Sequence, residues 1–268
     1  MTDSDAGVAA LFVPDGDHLV PTGYSRGPWS PTALHGGPVA ALVAREAENV
    51  GGGEDLQLVR ITLELLRPVP LTPLRVTSAV VRPGRKVQLI DTVVEADGVE
   101  VAWSRALKIR RARGEAALRP TVPEDDAPRP PTEGIPRPGS PGEDRAFHSE
   151  GVAMQYVRGA FERPGPATVW IRLEVPVVLG EQPSPWQRVA AAADFGNGVG
   201  AELPFGTNLF INPDLTVEVH RPPVGEWVCL DARTRFGSPG IGAAESALWD
   251  GGGRIGRAVQ SLLVEVAR

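Results

Sequence analysis

A chain of 268 residues that repeats itself once, alternates like antiparallel sheet and carries one helix per repeat predicts a duplicated α+β fold. The repeat is visible at an offset of 154. Residues 62–70 read TLELLRPVP and residues 216–224 read TVEVHRPPV, so Thr, Glu, Arg and Pro recur in register. Each copy is followed by two turn signals in the same order. Arg82-Pro83-Gly84-Arg85 and Asp97-Gly98 in the first correspond to Gly237-Ser238-Pro239-Gly240 and Asp250-Gly251 in the second.

The elements follow from local pattern. In the first unit His35-Gly36-Gly37 leads into Pro38 and VAALVAREAENV, ended by Gly51, which reads as a helix with Pro at its first position and an apolar face. The runs LRVTSAVV, VQLIDTVVEA and VEVAWSRALKI then read as strands joined by hairpins. Eight of the 27 prolines fall between residues 113 and 145, among charged residues and almost no large apolar ones. That stretch cannot bury enough surface to fold by itself and reads as a linker. The expected organisation is therefore a unit over 1–112, a Pro-rich linker over 113–145 and a unit over 146–268. In the second unit Ser184-Pro185-Trp186-Gln187 is an S-x-x-Q capping box, VAAAAD continues the helix, and Phe195-Gly196 stops it. EWVCLDARTRF, AAESALW and IGRAVQSLLVEV are its strands.

Composition excludes several classes. A net charge of -6 argues against a nucleic-acid partner, which would need a basic footprint. The single cysteine, Cys229, excludes an internal disulfide and a paired-thiolate zinc site. The four histidines lack metal-ligand spacing, so no metal is expected. No apolar run approaches the ~20 residues of a membrane span, so no membrane insertion is expected. The acidic start MTDSDAGVAALFV has no basic n-region, so no signal peptide is expected and the cytoplasm is the expected location.

Two motifs mislead. Gly251 to Gly256 matches G-x-G-x-x-G, yet only 12 residues follow and they alternate like a strand, so it reads as a hairpin turn. Gly23-Tyr24-Ser25-Arg26-Gly27 matches the nucleophile elbow, but Pro28 follows at once and too little chain precedes it to build the sheet.

The informative residue is Asp194. It stands at the C-terminal end of a helix, where the macrodipole disfavours a carboxylate, directly after four alanines. Asn212, where a turn enters a strand, and Gln260, which interrupts the last apolar strand, are amides able to orient a water or a carbonyl. Gly36 and Gly37, at a helix start, offer backbone N–H groups to a developing oxyanion. The densest basic turn, Arg82, Arg85 and Lys86, is the candidate for phosphate binding.

Together, HGGPVAAL, the Arg-Pro pairs after long strands, AAADF, INPDLTVEVHRPP and GRAVQSLLVEV resemble the acyl-CoA thioesterase II (TesB-like) family of double-hotdog proteins. The resemblance spans nearly the whole chain outside the linker. It implies two tandem hotdog units, each a long antiparallel sheet wrapped around a central helix. It further implies a cofactor-free enzyme of lipid metabolism that hydrolyses acyl-CoA to free acid and CoA by direct water attack. Homo-oligomers, as a dimer or dimer of dimers, are expected. The family's Asp, hydroxyl and Gln triad falls on Asp194, Asn212 and Gln260, with Asn212 standing where Thr is usual. His35, Gly36 and Gly37 would bind substrate and its oxyanion, and Arg82 and Arg85 the CoA phosphates. Two other readings stay open: a hotdog hydratase or dehydratase using His35 with an acid, and a non-catalytic acyl-thioester binder.

Overall fold

The computed structural model describes residues 9–53, 55–111, 127–138, 145–237 and 240–266. Most of the Pro-rich linker (113–126 and 139–144), the Ser238-Pro239 part of a turn signal and the first eight residues lie outside them. In chain order the first half holds β1 (Phe12–Asp15), β2 (His18–Pro21), α1 (Gly36–Asn49), β3 (Leu56–Leu65), β4 (Leu74–Arg82), β5 (Val87–Ala96) and β6 (Val99–Arg110). The second holds β7 (Ile135–Pro136), β8 (Val152–Ala160), β9 (Arg163–Leu173), α2 (Pro185–Ala193), α3 (Gly196–Val199) and β10 (Asn208–Ile211). It closes with β11 (Asp214–Val219), β12 (Trp227–Phe236), β13 (Ile241–Asp250) and β14 (Gly253–Val266).

Among the described residues these strands form one antiparallel sheet in the order β1-β2-β4-β5-β6-β3-β11-β14-β13-β12-β9-β8-β7, with β10 extending the pairing of β14. The two halves join where β3 meets β11. There Thr62 lies opposite Thr216, with hydroxyl oxygens 3.3 Å apart. The residues that mark the repeat in the sequence thus meet across its pseudo-two-fold axis, as a self-complementary interface requires. The offset of 154 also governs register. Thr62 pairs with Arg105 as Thr216 pairs with Val259, and Ile90 with Ala106 as Ala244 with Gln260.

Alternation along the strands places Leu63, Ile90, Val94, Leu215, Leu230 and Leu248 on the inner face, all buried, where the sheet wraps two helices. The helices are antiparallel neighbours: the start of α1 packs on the end of α2, and the end of α1 on the start of α2. Alanines and glycine on the facing sides permit the close approach. A Cβ at Gly37 would sit 2.6 Å from the Ala191 carbonyl oxygen. This is the double-hotdog arrangement. The helix start differs from the sequence reading by two residues, because α1 begins at Gly36 and not at Pro38. His35 acts as its N-cap, and Pro38, still in the first turn, gives up an N–H that had no helical partner.

The halves are interlocked. Leu11 and Phe12 donate backbone hydrogen bonds to Pro176 and Val177, and Phe147 donates to Arg26. The described part of the linker is laid on the second half. Trp170 donates its indole N–H to the Arg129 carbonyl at 2.7 Å, and Ile135–Pro136 adds an edge strand to β8. Beneath it Cys229 packs with Val157, Trp170 and Trp249, and burial pushes its thiol up, away from the reactive thiolate. The misleading motifs resolve as expected. Gly251 and Gly252 form the β13–β14 turn, and the Ser25 hydroxyl is buried, donating to the Leu11 carbonyl at 2.7 Å.

Candidate active site

Asp194 ends α2, the wrong pole of that helix for an anion, and is 3% exposed. The pairing of the helices supplies what the local sequence lacks. The start of α1 lies against the carboxylate so closely that a Cβ at Gly36 would sit 2.7 Å from both carboxylate oxygens. The positive end of α1 therefore faces the anion. Three side chains surround it. The Asn212 amide donates to Oδ1 at 2.8 Å, the Gln260 amide donates to Oδ1 at 3.3 Å, and His35 Nδ1 lies 2.8 Å from Oδ2. A carboxylate has about four acceptor positions. Oδ1 is filled and Oδ2 keeps one lone pair for a further donor.

A residue without any motif signal sets this arrangement. Asn197, in the short helix α3, donates its side-chain amide to Asn212 Oδ1 at 3.3 Å and its backbone N–H to Gln260 Oε1 at 3.0 Å. Each amide oxygen is thereby engaged, so each amide NH2 is turned toward Asp194. Asn197 is itself fixed, donating to the Phe210 carbonyl at 3.1 Å and accepting from the Gly198 N–H at 2.7 Å. His35 Nδ1 also lies 3.0 Å from the Gly37 N–H. One nitrogen cannot serve both: protonated it donates to Asp194, unprotonated it accepts from Gly37. An ionised Asp194 selects the proton on Nδ1 and leaves Nε2 an acceptor. The imidazole is held between Phe147 and Phe195, with ring centroids 5.1 and 4.6 Å away.

A cavity of about 350 Å³ opens onto this cluster. Asp194, His35, Gly36 and Asn212 line it, with apolar walls that include Trp29 and Val69. Gln260 is buried behind Asp194, and Gly37 behind His35, so these two act through their neighbours. The structure does not bring Arg82 or Arg85 to the site. The Arg82 guanidinium turns back to the Val87 carbonyl in its own hairpin. Arg85 lines a separate depression with Gly52 and Gly53. Charge density in a hairpin said nothing about which face of the sheet that hairpin overhangs. A larger open groove of about 940 Å³ crosses the outer sheet face around Arg60, His220 and Arg257, and holds none of the site residues. Among the described residues no three or more His, Cys, Asp or Glu side chains converge as metal ligands would.

The family models for acyl-CoA thioesterase domains match both halves: the N-terminal domain over residues 25–108 and the C-terminal domain over residues 121–264. The chain belongs to the acyl-CoA thioesterase family. No curated protein sequence matches it significantly. Among solved structures this thioesterase-family chain is similar to a conserved hot dog fold protein of unknown function from Alicyclobacillus acidocaldarius, at 17% identity and a TM-score of 0.70. That match covers 100% of this chain and 99% of the other. It is also similar to the acyl-CoA thioesterase II TesB2 of Mycobacterium marinum, at 16% identity, a TM-score of 0.63, and coverage of 88% and 92%. A TesB protein of Mycobacterium avium subsp. paratuberculosis gives 14%, 0.63 and 95% of each chain. At these identities the likeness establishes the fold.

The pseudo-two-fold gives this thioesterase-family chain a second helix-end carboxylate, Glu48, at the start of α2. Ser184 caps α2 by accepting from the Gln187 N–H at 3.1 Å, and donates its hydroxyl to Glu48 at 2.6 Å. The Gln187 side chain turns to Glu48 instead of completing the capping box. Burial raises the Glu48 carboxyl above the usual range, against these two donors. Lys108 covers this end of α1, donating to the Glu48 and Val50 carbonyls, and burial lowers its ammonium. The counterparts of Asn212 and Gln260 at this end are Leu58 and Ala106. Trp186 fills the space, its indole N–H on the Leu58 carbonyl at 2.7 Å. One end of the helix pair is polar and hollow. The other is filled.

Proposed function

We propose that the chain is an acyl-CoA thioesterase that releases free acid and CoA by direct attack of water. The observation that carries this reading is the Asp194 carboxylate, held in a cavity wall with one acceptor position left on Oδ2. A water on that lone pair gives its proton to Asp194 as its oxygen attacks the thioester carbon. Asn212 and Gln260 fix the carboxylate for that transfer, the amide of Asn212 supplying the donor that a hydroxyl would otherwise supply. The start of α1, at Gly36, stabilises the developing oxyanion, a type of contact worth about 3 kcal/mol per donor. Collapse of the tetrahedral adduct breaks the C–S bond, and the departing thiolate takes the proton back from Asp194. No cofactor enters the balance. Asp194→Asn is expected to lower thiol release about 10²- to 10⁴-fold with cooperative melting preserved. An unchanged rate in a folded variant removes Asp194 from the mechanism.

The His35–Asp194 contact of 2.8 Å favours a second reading, a hydratase in which the imidazole moves protons on a 2-enoyl thioester. The two separate in one assay on one 2-enoyl-CoA: thiol appears in hydrolysis, whereas the conjugated double bond is lost without thiol in hydration. Binding of acyl-CoA with neither change would mark a non-catalytic binder.

A further inference from the structure

We infer that Arg67 is the residue that grips the phosphate at the end of the pantetheine arm of the CoA carrier; this rests on the thioester reading above. The duplication provides the argument. Arg67 and Arg221 are the same residue of the two copies, each following the strand by which its half joins the other. Arg221 is consumed by the fold: its guanidinium donates to Asp250 at 2.9 Å and to the Gly253 and Arg254 carbonyls at 2.9 and 3.1 Å. Asp250 is the last residue of β13, whereas β5 ends in Ala96, and the turn acid that follows, Asp97, lies by Arg75 in a separate depression. The carboxylate that would engage Arg67 is therefore missing.

Freed of that partner, the Arg67 guanidinium makes no hydrogen bond or ion pair with any described residue. It lies exposed at the mouth of the cavity that Asp194 lines, next to Pro68 and Trp29. A thioester placed at Asp194 sends its acyl chain along the apolar walls and its carrier out through the mouth. The carrier is the anionic part. An arginine with all its donors unspent offers a phosphate two parallel hydrogen bonds, which lysine cannot match in geometry. The two arginines of the basic hairpin, Arg82 and Arg85, do not line this cavity.

The test compares three thioesters of one acyl group, on acyl-pantetheine, acyl-4′-phosphopantetheine and acyl-CoA, with the full chain and with Arg67→Gln. Because Arg67 is exposed and unpaired, the variant should melt as the native chain does, which a thermal scan checks. In the native chain the phosphate should improve kcat/KM, mainly through KM. In Arg67→Gln that advantage should shrink by about 10- to 100-fold for the two phosphorylated thioesters, as expected for a charge-assisted contact. Equal losses on all three thioesters overturn the assignment, as does no loss on any, or a loss confined to acyl-CoA. Failure of the native chain to hydrolyse any of the three overturns the thioesterase reading itself, a result distinguishable from all of these.

Discussion

Asp194 shows how a residue that is costly in its own helix becomes usable in its neighbour's field. At the C-terminal end of α2 the macrodipole opposes the charge by some tenths of a kcal/mol to about 1 kcal/mol, and the start of α1 offsets this from the other side. The amides then need an orientation, and Asn197 sets it for both. Asn197→Ala is therefore expected to leave Asn212 and Gln260 free to present oxygen to Asp194. Since an acceptor facing a carboxylate is repelled, kcat should fall about 10- to 100-fold while KM stays near the native value. A kcat unchanged in a variant that still melts cooperatively would assign Asn197 a purely structural role.

At the scale of elements, the single π-helical turn at Phe147–Gly151 joins the start of the second half to the site. Phe147 leaves it to support His35, and His148 is drawn inside, its Nδ1 without a hydrogen bond among the described residues. Burial, and then the electrostatic influence of His35 and Arg137, lower the His148 pKa from 6.5 to about 4. The folded chain thus binds this proton less readily than the unfolded chain. The associated stability is complete above pH 6.5 and is lost as pH falls from 6.5 toward 4. Replacement by a group that cannot titrate removes the loss. Across that window the Tm of His148→Gln should decline less steeply than that of the native chain. Parallel declines would show that His148 contributes nothing to acid sensitivity.

For the whole molecule, duplication followed by divergence leaves one working end. The two helix-end carboxylates are related by the pseudo-two-fold, but only Asp194 has amides beside it and a cavity before it. Glu48 faces Ser184, and Trp186 occupies the equivalent space. Titration with a non-hydrolysable acyl-CoA thioether is expected to saturate at one ligand per chain by calorimetry. Two equivalent sites per chain would contradict the filled end.

Much of this was legible in the sequence because it is local or periodic. The offset of 154 predicted the duplicated sheet, and it reappears as Thr62 against Thr216. The S-x-x-Q segment predicted the start of α2, and Asp194 was conspicuous because a helix end disfavours it. The residues that escaped are those whose role depends on a neighbour distant in the chain. Asn197 sits in a four-residue helix with no pattern, Trp29 in a loop, and Arg67 is identical in type to Arg221, which the fold uses otherwise. Arg82 and Arg85 lie outside the Asp194 cavity for the same reason, since clustering along the chain carries no information about what lies across a sheet. Sequence alone therefore determined the duplication, the elements and the unusual carboxylate, all of which follow from periodicity and local backbone chemistry. Only the tertiary structure decided which helix end is hollow, which arginine is unspent, and that α1 points its N-terminus at Asp194, because these depend on the antiparallel packing of two helices 150 residues apart.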